Sequence, residues 1–526
     1  MKRANEIKRC VKSFSIALAF LAILPAITFP IDGDREENEF PHIGVVEEAF
    51  PKIEKKYPID EIRFPLSAVP VILERGSTFE AEIDISAHGI EPDDWGFYIA
   101  SSNSEVVYEY ELGIERVVKN EGRYDITLRV PTNVFEGLYD LYMVAYGEEE
   151  IWDRQPRAVS VAEIDGDFTF VHWTDPHLGD FLRQFTGGME QGYGIQTTLD
   201  LIDGWELAQK SIDEVNLIHP DFVLITGDIV YGFIYKYEYP VFYELLQKFD
   251  APTFVFPGNH DVDYILPFME DGCEFYQRYV GPMSYSFDYG EAHFTMANSN
   301  SGTPDLLRLG VFGISLTVIG WISDEQFRWI EEDLKANQDA ELRFLCLHHT
   351  ILHYNLDKIF PFPTIYDWWV GDWERMMGII ARNNVSYVLY GHGHEDWVDL
   401  VGNTTFIETT SCGAGAGEYW GYRIIEVEDW EVASYNYKEP RHSVPIFKLE
   451  AEYEEEDGYI NEAEYTNDLD MDLEILLKFY IPLGEYEIDS ESEIVSVQSR
   501  EGAESQEVLI IISAEAGSEG EVSIDY

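Results

Sequence analysis

Positive charge is what this chain has least of: 35 Lys and Arg stand against 99 Asp and Glu, a formal net charge of −64. Such a surface repels nucleic acid and anionic membranes at long range, so polymeric nucleic acid is not an expected partner. A polyanionic substrate would need a strong local positive charge, which bound metal ions could supply. Cysteine is almost as scarce. Cys10 lies in a basic segment ahead of an apolar run, which is not where a lipid-attachment cysteine sits. Cys273, Cys346 and Cys412 are scattered and odd in number, so they frame no disulfide scaffold and read as buried thiols.

An apolar run long enough to span a bilayer comfortably is also missing. Lys2, Arg3, Lys8, Arg9 and Lys12 precede the apolar stretch 14–29, the pattern of a secretory signal. That stretch is shorter than the roughly 20 residues of a comfortable bilayer span, and Pro25 interrupts it. The expectation is export to the outside or cell surface, without stable membrane insertion once the signal is cleaved. An uncleaved signal anchor is the alternative, because no small-x-small pair precedes Ile31.

What is present is ample core material. The chain has 526 residues, 45% hydrophobic and 14% aromatic, which implies about three domains of roughly 100–200 residues. After the signal (1–30), residues 31–64 are a linker or N-terminal extension, acidic and irregular over 31–39 and with structure beginning near Pro41. Short alternating runs over 65–164, such as 78–85, 124–130 and 138–146, predict an antiparallel β-sandwich of the immunoglobulin or fibronectin kind.

At Phe168 the pattern becomes α/β: apolar strands at 168–173, 222–226, 254–256, 344–347 and 385–390 alternate with helical stretches. One helix carries Trp205, Ala208, Ile212 and Val215, a second Val241 to Phe249. A third, carrying Phe327, Ile330 and Leu334, starts at a Ser323/Gln326 capping box. This layered domain is expected over 165–438. Alternating runs at 446–453, 473–481, 508–514 and 522–526 predict an all-β module over 439–526.

Each strand of the central domain ends in polar residues. Asp175 and His177 follow the first, Asp228 the second, Asn259, His260 and Asp261 the third. His348 and His349 follow the fourth, and His392 and His394 the fifth. Ligands of open α/β sheets bind at the carboxyl ends of strands. Carboxylate, imidazole and amide oxygen without cysteine suit Mn, Fe, Co or Zn, and so many donors suit two ions sharing a bridging carboxylate.

Asp175-Pro176-His177, Gly227-Asp228, Gly258-Asn259-His260-Asp261, His348 and Gly391-His392-Gly393-His394, in that order, resemble the calcineurin-like metallophosphoesterase superfamily over roughly 165–437. The resemblance implies a four-layer sandwich, two β-sheets flanked by helices, holding two divalent metals. One would take Asp175, His177 and His394, the other Asn259, His348 and His392, with Asp228 bridging. His260 would bind phosphoryl oxygens or protonate the leaving group, oriented by Asp261. The implied activity is hydrolysis of phosphomonoesters or phosphodiesters, small or nucleotide-like, by a metal-activated hydroxide. Tyr231 occupies the place of the iron-binding tyrosine of purple acid phosphatases, which also carry a preceding β-sandwich. Those enzymes lack the histidine corresponding to His177, so Tyr231 is expected to line the pocket with His349, Phe181 and Trp368. A purple-type iron enzyme, or a non-catalytic surface protein on the same fold, are the alternatives. The apolar stretch 306–321 is expected to be a lid, a partner-binding patch or a buried strand pair.

Overall fold

The computed structural model describes residue 53 and residues 55–102, 104, 106–120, 123–178, 204–232, 234–266, 269–304, 308–311, 314–315, 320–351, 373–413, 419–438, 440–502 and 505–526. The expected signal, Phe181 and Trp368 lie outside them. Among the described residues no helix is long and apolar enough to cross a membrane.

Two six-stranded sheets face each other at the centre. In one, Phe168–Trp173 pairs in parallel with Phe222–Ile225, which pairs in parallel with Thr253–Val255; Gly421–Glu428 and Glu431–Ser434 complete its main path in antiparallel sense. In the other, Ala292–Met296, Leu342–Cys346, Tyr387–Tyr390 and Thr404–Glu408 are parallel, with Tyr285–Tyr289 and Trp397–Val401 as antiparallel edges. Parallel strands covered on both faces need near-continuous apolar sequence, which is why FVLI and LRFLC read as short runs without alternation.

Phenylalanines fill much of the space between the sheets. Phe170 stacks on Phe222 at 5.0 Å and Phe294 on Phe344 at 4.5 Å between ring centroids. Helices Gly204–Ile218 and Tyr235–Leu246 cover the outside of the first sheet. Asp324–Ala336 and Trp373–Arg382 cover the second through Phe327, Ile330, Leu334, Met376, Ile379 and Ile380. The four-layer arrangement is the one expected. Ser323 Oγ accepts the Gln326 N–H at 3.1 Å, but Gln326 Oε1 accepts from Ser284 Oγ at 2.9 Å, so only half of the capping box forms.

Before this domain, a four-stranded and a five-stranded sheet enclose their own core. The strand Ile62–Phe64 belongs to the four-stranded sheet, pairing with Thr78–Asp84, so the linker expected through residue 64 ends earlier. Buried Arg157 of this unit donates to the carbonyls of Leu246, at the end of helix Tyr235–Leu246, and Ala251, the latter at 2.6 Å. A left-over helix carbonyl is thereby satisfied by a cation from another unit.

After the central domain comes a seven-stranded antiparallel sheet, whose core merges with that under helix Gly204–Ile218. Val444–Pro445 still pairs with Gly421–Glu428 of the first central sheet, so the central domain runs past residue 438. Glu214 joins the two: it accepts from Lys448 N at 3.0 Å and Tyr422 OH at 3.1 Å, and burial pushes its carboxyl up to about 7. In the 306–321 stretch, Leu309–Val311 and Ile314–Ser315 form a small sheet with Tyr264–Leu266 and Glu270–Asp271, and residues 306–307, 312–313 and 316–319 lie outside the described residues. Cys273, Cys346 and Cys412 are free thiols, the last two buried and Cys273 half-buried.

Candidate metal centre

The carboxyl ends of parallel strands in both sheets meet at one place. The first sheet delivers Asp175, His177, Asp228 and Asn259, and the second delivers His348, His392 and His394. Asp175, His177, Asp228, Asn259 and His348 are buried, while His260, His392 and His394 are half-buried.

Within this cluster the donor atoms fall into overlapping groups. His177 Nε2 and His394 Nε2 are 3.0 Å apart, and Asp175 Oδ1 lies 3.2 Å from the latter and 3.7 Å from the former. His348 Nε2 stands 3.1 Å from Asn259 Oδ1, 3.2 Å from His392 Nδ1 and 3.2 Å from Asp228 Oδ2. Asp228 Oδ2 is also 3.7 Å from His177 Nε2, so one carboxylate oxygen faces both groups. Ligands about 2.1 Å from a single ion at octahedral or tetrahedral angles lie roughly 3.0–3.4 Å from one another. Spacing and donor chemistry therefore both fit divalent cations of the Mn, Fe, Co or Zn class.

The backbone here is held under strain. Asp175, His177, Asp228, His392 and His394 have φ of 53°, 46°, 51°, 71° and 53°. The left-handed region is uncommon outside glycine and costs about 1–3 kcal/mol at each such residue. Five neighbours in a single cluster adopt it, turning their side chains sharply off the strand ends. Glycines make room for the turns: a Cβ on Gly258 would lie 2.1 Å from Asp228 Oδ1, and one on Gly391 2.1 Å from Asp175 Oδ2.

Electrostatics ready the carboxylates and two of the imidazoles, while His348 is held as its cation and must release a proton to ligate. Burial alone would raise the carboxyls of Asp175 and Asp228, but facing imidazoles hold both below the usual range: His394 and His177 for Asp175, His348 and His260 for Asp228. Burial pushes His177 down to about 4 and lowers His392 as well, leaving neutral rings with lone pairs to offer. His348 is also lowered by burial, but Asp228 and Asp175 more than reverse this and hold it at about 9. Its Nδ1–H donates to the Thr226 carbonyl at 2.8 Å, which aims Nε2 at the cluster.

His260 is fixed twice. Its N–H donates to Asp228 Oδ1 at 2.9 Å and its ring Nδ1–H to the Tyr231 carbonyl at 2.8 Å. Asp261 does not orient this ring, contrary to expectation: its carboxylate accepts the backbone N–H of Gly258 at 2.7 Å and of Val230 at 3.1 Å. It is a brace for the turn, and burial with the Asp228 charge beside it raises it to about 7. His349 is fully buried, not pocket-lining; its Nδ1 is 2.7 Å from Ser299 Oγ and its ring packs 4.4 Å from that of His392. The half-buried Tyr231 ring stands 6.1 Å from that of His177 and 6.0 Å from that of His260.

Residues 168–396 match the family model of the calcineurin-like phosphoesterases. The central domain belongs to that family. On that ground the central domain is a metal-dependent phosphoesterase domain. No curated protein matches the sequence. Among solved structures, a purple acid phosphatase from yellow lupin (Lupinus luteus) is 12% identical, covering 71% of this chain and 72% of its own with a TM-score of 0.40. PhoD is 12% identical, covering 79% and 85% with a TM-score of 0.38. GAP50 of Plasmodium is 12% identical, covering 54% and 90% with a TM-score of 0.34.

Two backbone groups around this phosphoesterase site carried no signal in the sequence. The carbonyls that aim His348 and His260 belong to Thr226 and Tyr231, and a carbonyl is common to every residue. His172 and Arg423, fully buried beneath the ligands, did have a signal. A histidine on the apolar side of one strand, and an arginine in a strand otherwise rich in apolar residues, are costly to bury without a partner.

Proposed function

We propose that the chain hydrolyses phosphate monoesters or diesters at a dinuclear centre. Asp175, His177 and His394 hold one cation, Asn259, His348 and His392 hold the other, and Asp228 bridges them. The observation that carries this is the position of Asp228 Oδ2, within 3.7 Å of His177 Nε2 and 3.2 Å of His348 Nε2. When bound, the cations would neutralise phosphoryl oxygens and supply a hydroxide-strength nucleophile near neutral pH.

The remaining tasks fall to the chain itself. His260, tethered at Nδ1 by Tyr231, keeps Nε2 to hydrogen-bond a phosphoryl oxygen or to protonate the leaving oxygen. Asp261 holds the turn that carries Asn259 and His260. Tyr231, beside His177 and His260, lines the approach. Export of the enzyme is part of the proposal and rests on the sequence of residues 2–29.

The test is to purify the chain with Mn, Fe or Zn, count bound metal, and assay a chromogenic phosphomonoester and a phosphodiester in parallel. Close to two metals per chain with turnover of either ester is expected. Less than one metal, with neither ester turned over, would overturn the proposal.

A further inference from the structure

Beneath the ligands, the layer between the central sheets changes character. On the strand Phe168–Trp173 the side chains of Phe168, Phe170 and His172 share a face, and His172 is fully buried where a third ring would be expected. Its Nε2 lies 2.8 Å from Thr226 Oγ1 and its Nδ1 2.7 Å from Thr409 Oγ1. Thr226 Oγ1 is 2.7 Å from Thr174 Oγ1, and Thr174 Oγ1 is 2.7 Å from Asp175 Oδ2. At the far end Arg423, also buried, brings Nε to 3.1 Å from Thr409 Oγ1.

Chemistry gives this chain a single direction. The Asp175 carboxylate only accepts, so Thr174 donates to it and takes the proton of Thr226, which must then accept from His172 Nε2–H. A neutral His172 takes the Thr409 proton at Nδ1, and Arg423, whose guanidinium only donates, gives its Nε–H to Thr409. Each threonine hydroxyl accepts once and donates once. The other Arg423 donors are fixed as well: Nη1 to Tyr435 O at 2.9 Å and Asn436 Oδ1 at 3.4 Å, Nη2 to Asp396 Oδ1 and Glu408 O, both at 2.7 Å. The source of the chain cannot turn round.

At its end the chain sorts the two oxygens of Asp175. Oδ2 alone takes the Thr174 hydroxyl, while the His392 N–H is shared between Oδ2 at 3.0 Å and Oδ1 at 3.2 Å. Oδ1 is the oxygen nearest His394 Nε2 and His177 Nε2. We propose that His172 is a positioning residue for the metal ligand Asp175, acting through the one-way chain Arg423–Thr409–His172–Thr226–Thr174 to hold Oδ2 and so turn Oδ1 toward His177 and His394 for a cation. This rests on the dinuclear site proposed above. Hydrogen-bond partners behind metal ligands characteristically change metal affinity 10- to 100-fold.

The alternative is that the chain merely satisfies buried polar groups, which would affect stability and not metal affinity. Thr409 separates the two, because it touches none of the proposed ligands. The experiment is Mn²⁺ titration of the metal-free full-length chain as wild type, Thr409→Val and Thr409→Ser, with Tm measured alongside. In Thr409→Val one of two Mn²⁺ ions is expected to bind roughly 10- to 100-fold more weakly with the other unchanged, and Thr409→Ser restores it. Unchanged affinity at both sites, or an equal fall at both, overturns the inference whatever happens to Tm. Thr226→Val against Thr226→Ser, read in the same way, decides the matter if Thr409→Val does not fold. A wild-type chain that binds no Mn²⁺ overturns the dinuclear site and this inference together. Two-site binding left intact in the valine variants overturns this inference alone.

Discussion

The layer between the two central sheets is filled in two different ways. Away from the site it is a stack of rings: Phe168, Phe170, Phe222, Phe254, Phe294 and Phe344, nearly all inaccessible to water. Under the site it is a polar thread, His172, Thr174, Thr226 and Thr409, anchored on Arg423 and closed on Asp175. The ring stack is non-directional and stabilises in proportion to the apolar area it hides. The thread contributes little net stability per hydrogen bond but has one geometry in which every donor is matched. Cohesion and site geometry are thus assigned to different residues of a single layer, and substitutions should separate them.

The sharpest separation is expected at His260. His260→Ala keeps the backbone N–H that braces Asp228 and removes only the ring, so turnover should fall about 10²- to 10⁴-fold with metal content retained. Kinetics and metal counting on one preparation check this, and a matching loss of metal would break the comparison. Phe170→Ala is the converse. Opening the ring stack should cost about 3–5 kcal/mol in denaturant unfolding, while the folded fraction keeps its full complement of metal.

A smaller effect is expected at His293, outside the site but in the second central sheet. It bonds Asp288 at 2.6 Å and Asp333 at 2.9 Å, and these carboxylates outweigh burial and raise it to about 9. A folded-state value above the unfolded value of about 6.5 gives stabilisation that is fully present below about pH 6.5 and is lost as pH rises through about 9. The Tm gap between wild type and His293→Asn should therefore close between pH 7 and pH 10, with metal affinity unaffected. The smallest effect belongs to the outer surface of the C-terminal sheet, where exposed Glu452, Glu464 and Glu521 stand opposite one another on three adjacent strands. Like charges so placed repel until salt screens them. Glu464→Gln should raise Tm by roughly a few degrees at most at low salt and not at all in molar salt.

How far the sequence could be read follows from whether a signal was local. Each ligand block is a short apolar run followed within a few residues by its donors, so all the proposed ligands could be located before the strands were known to converge. The polar thread comes from separate strands and their ends, and no spacing in the sequence connects residue 172 with residues 226, 409 and 423. Asp261 was misassigned because its neighbour is His260, whereas its bonds run to backbone N–H groups of Gly258 and Val230. In the C-terminal sheet, Tyr459–Asn467 and Ile494–Glu501 escaped because acidic residues interrupt the first and exposure on both faces erases alternation in the second.

The most direct test of the dinuclear centre is a metal count on Asp228→Ala beside wild type. With Asp228 facing both groups of donors, its loss should bring bound metal from near two per chain to below one. Full occupancy in Asp228→Ala would contradict the bridging role and, with it, the centre as described.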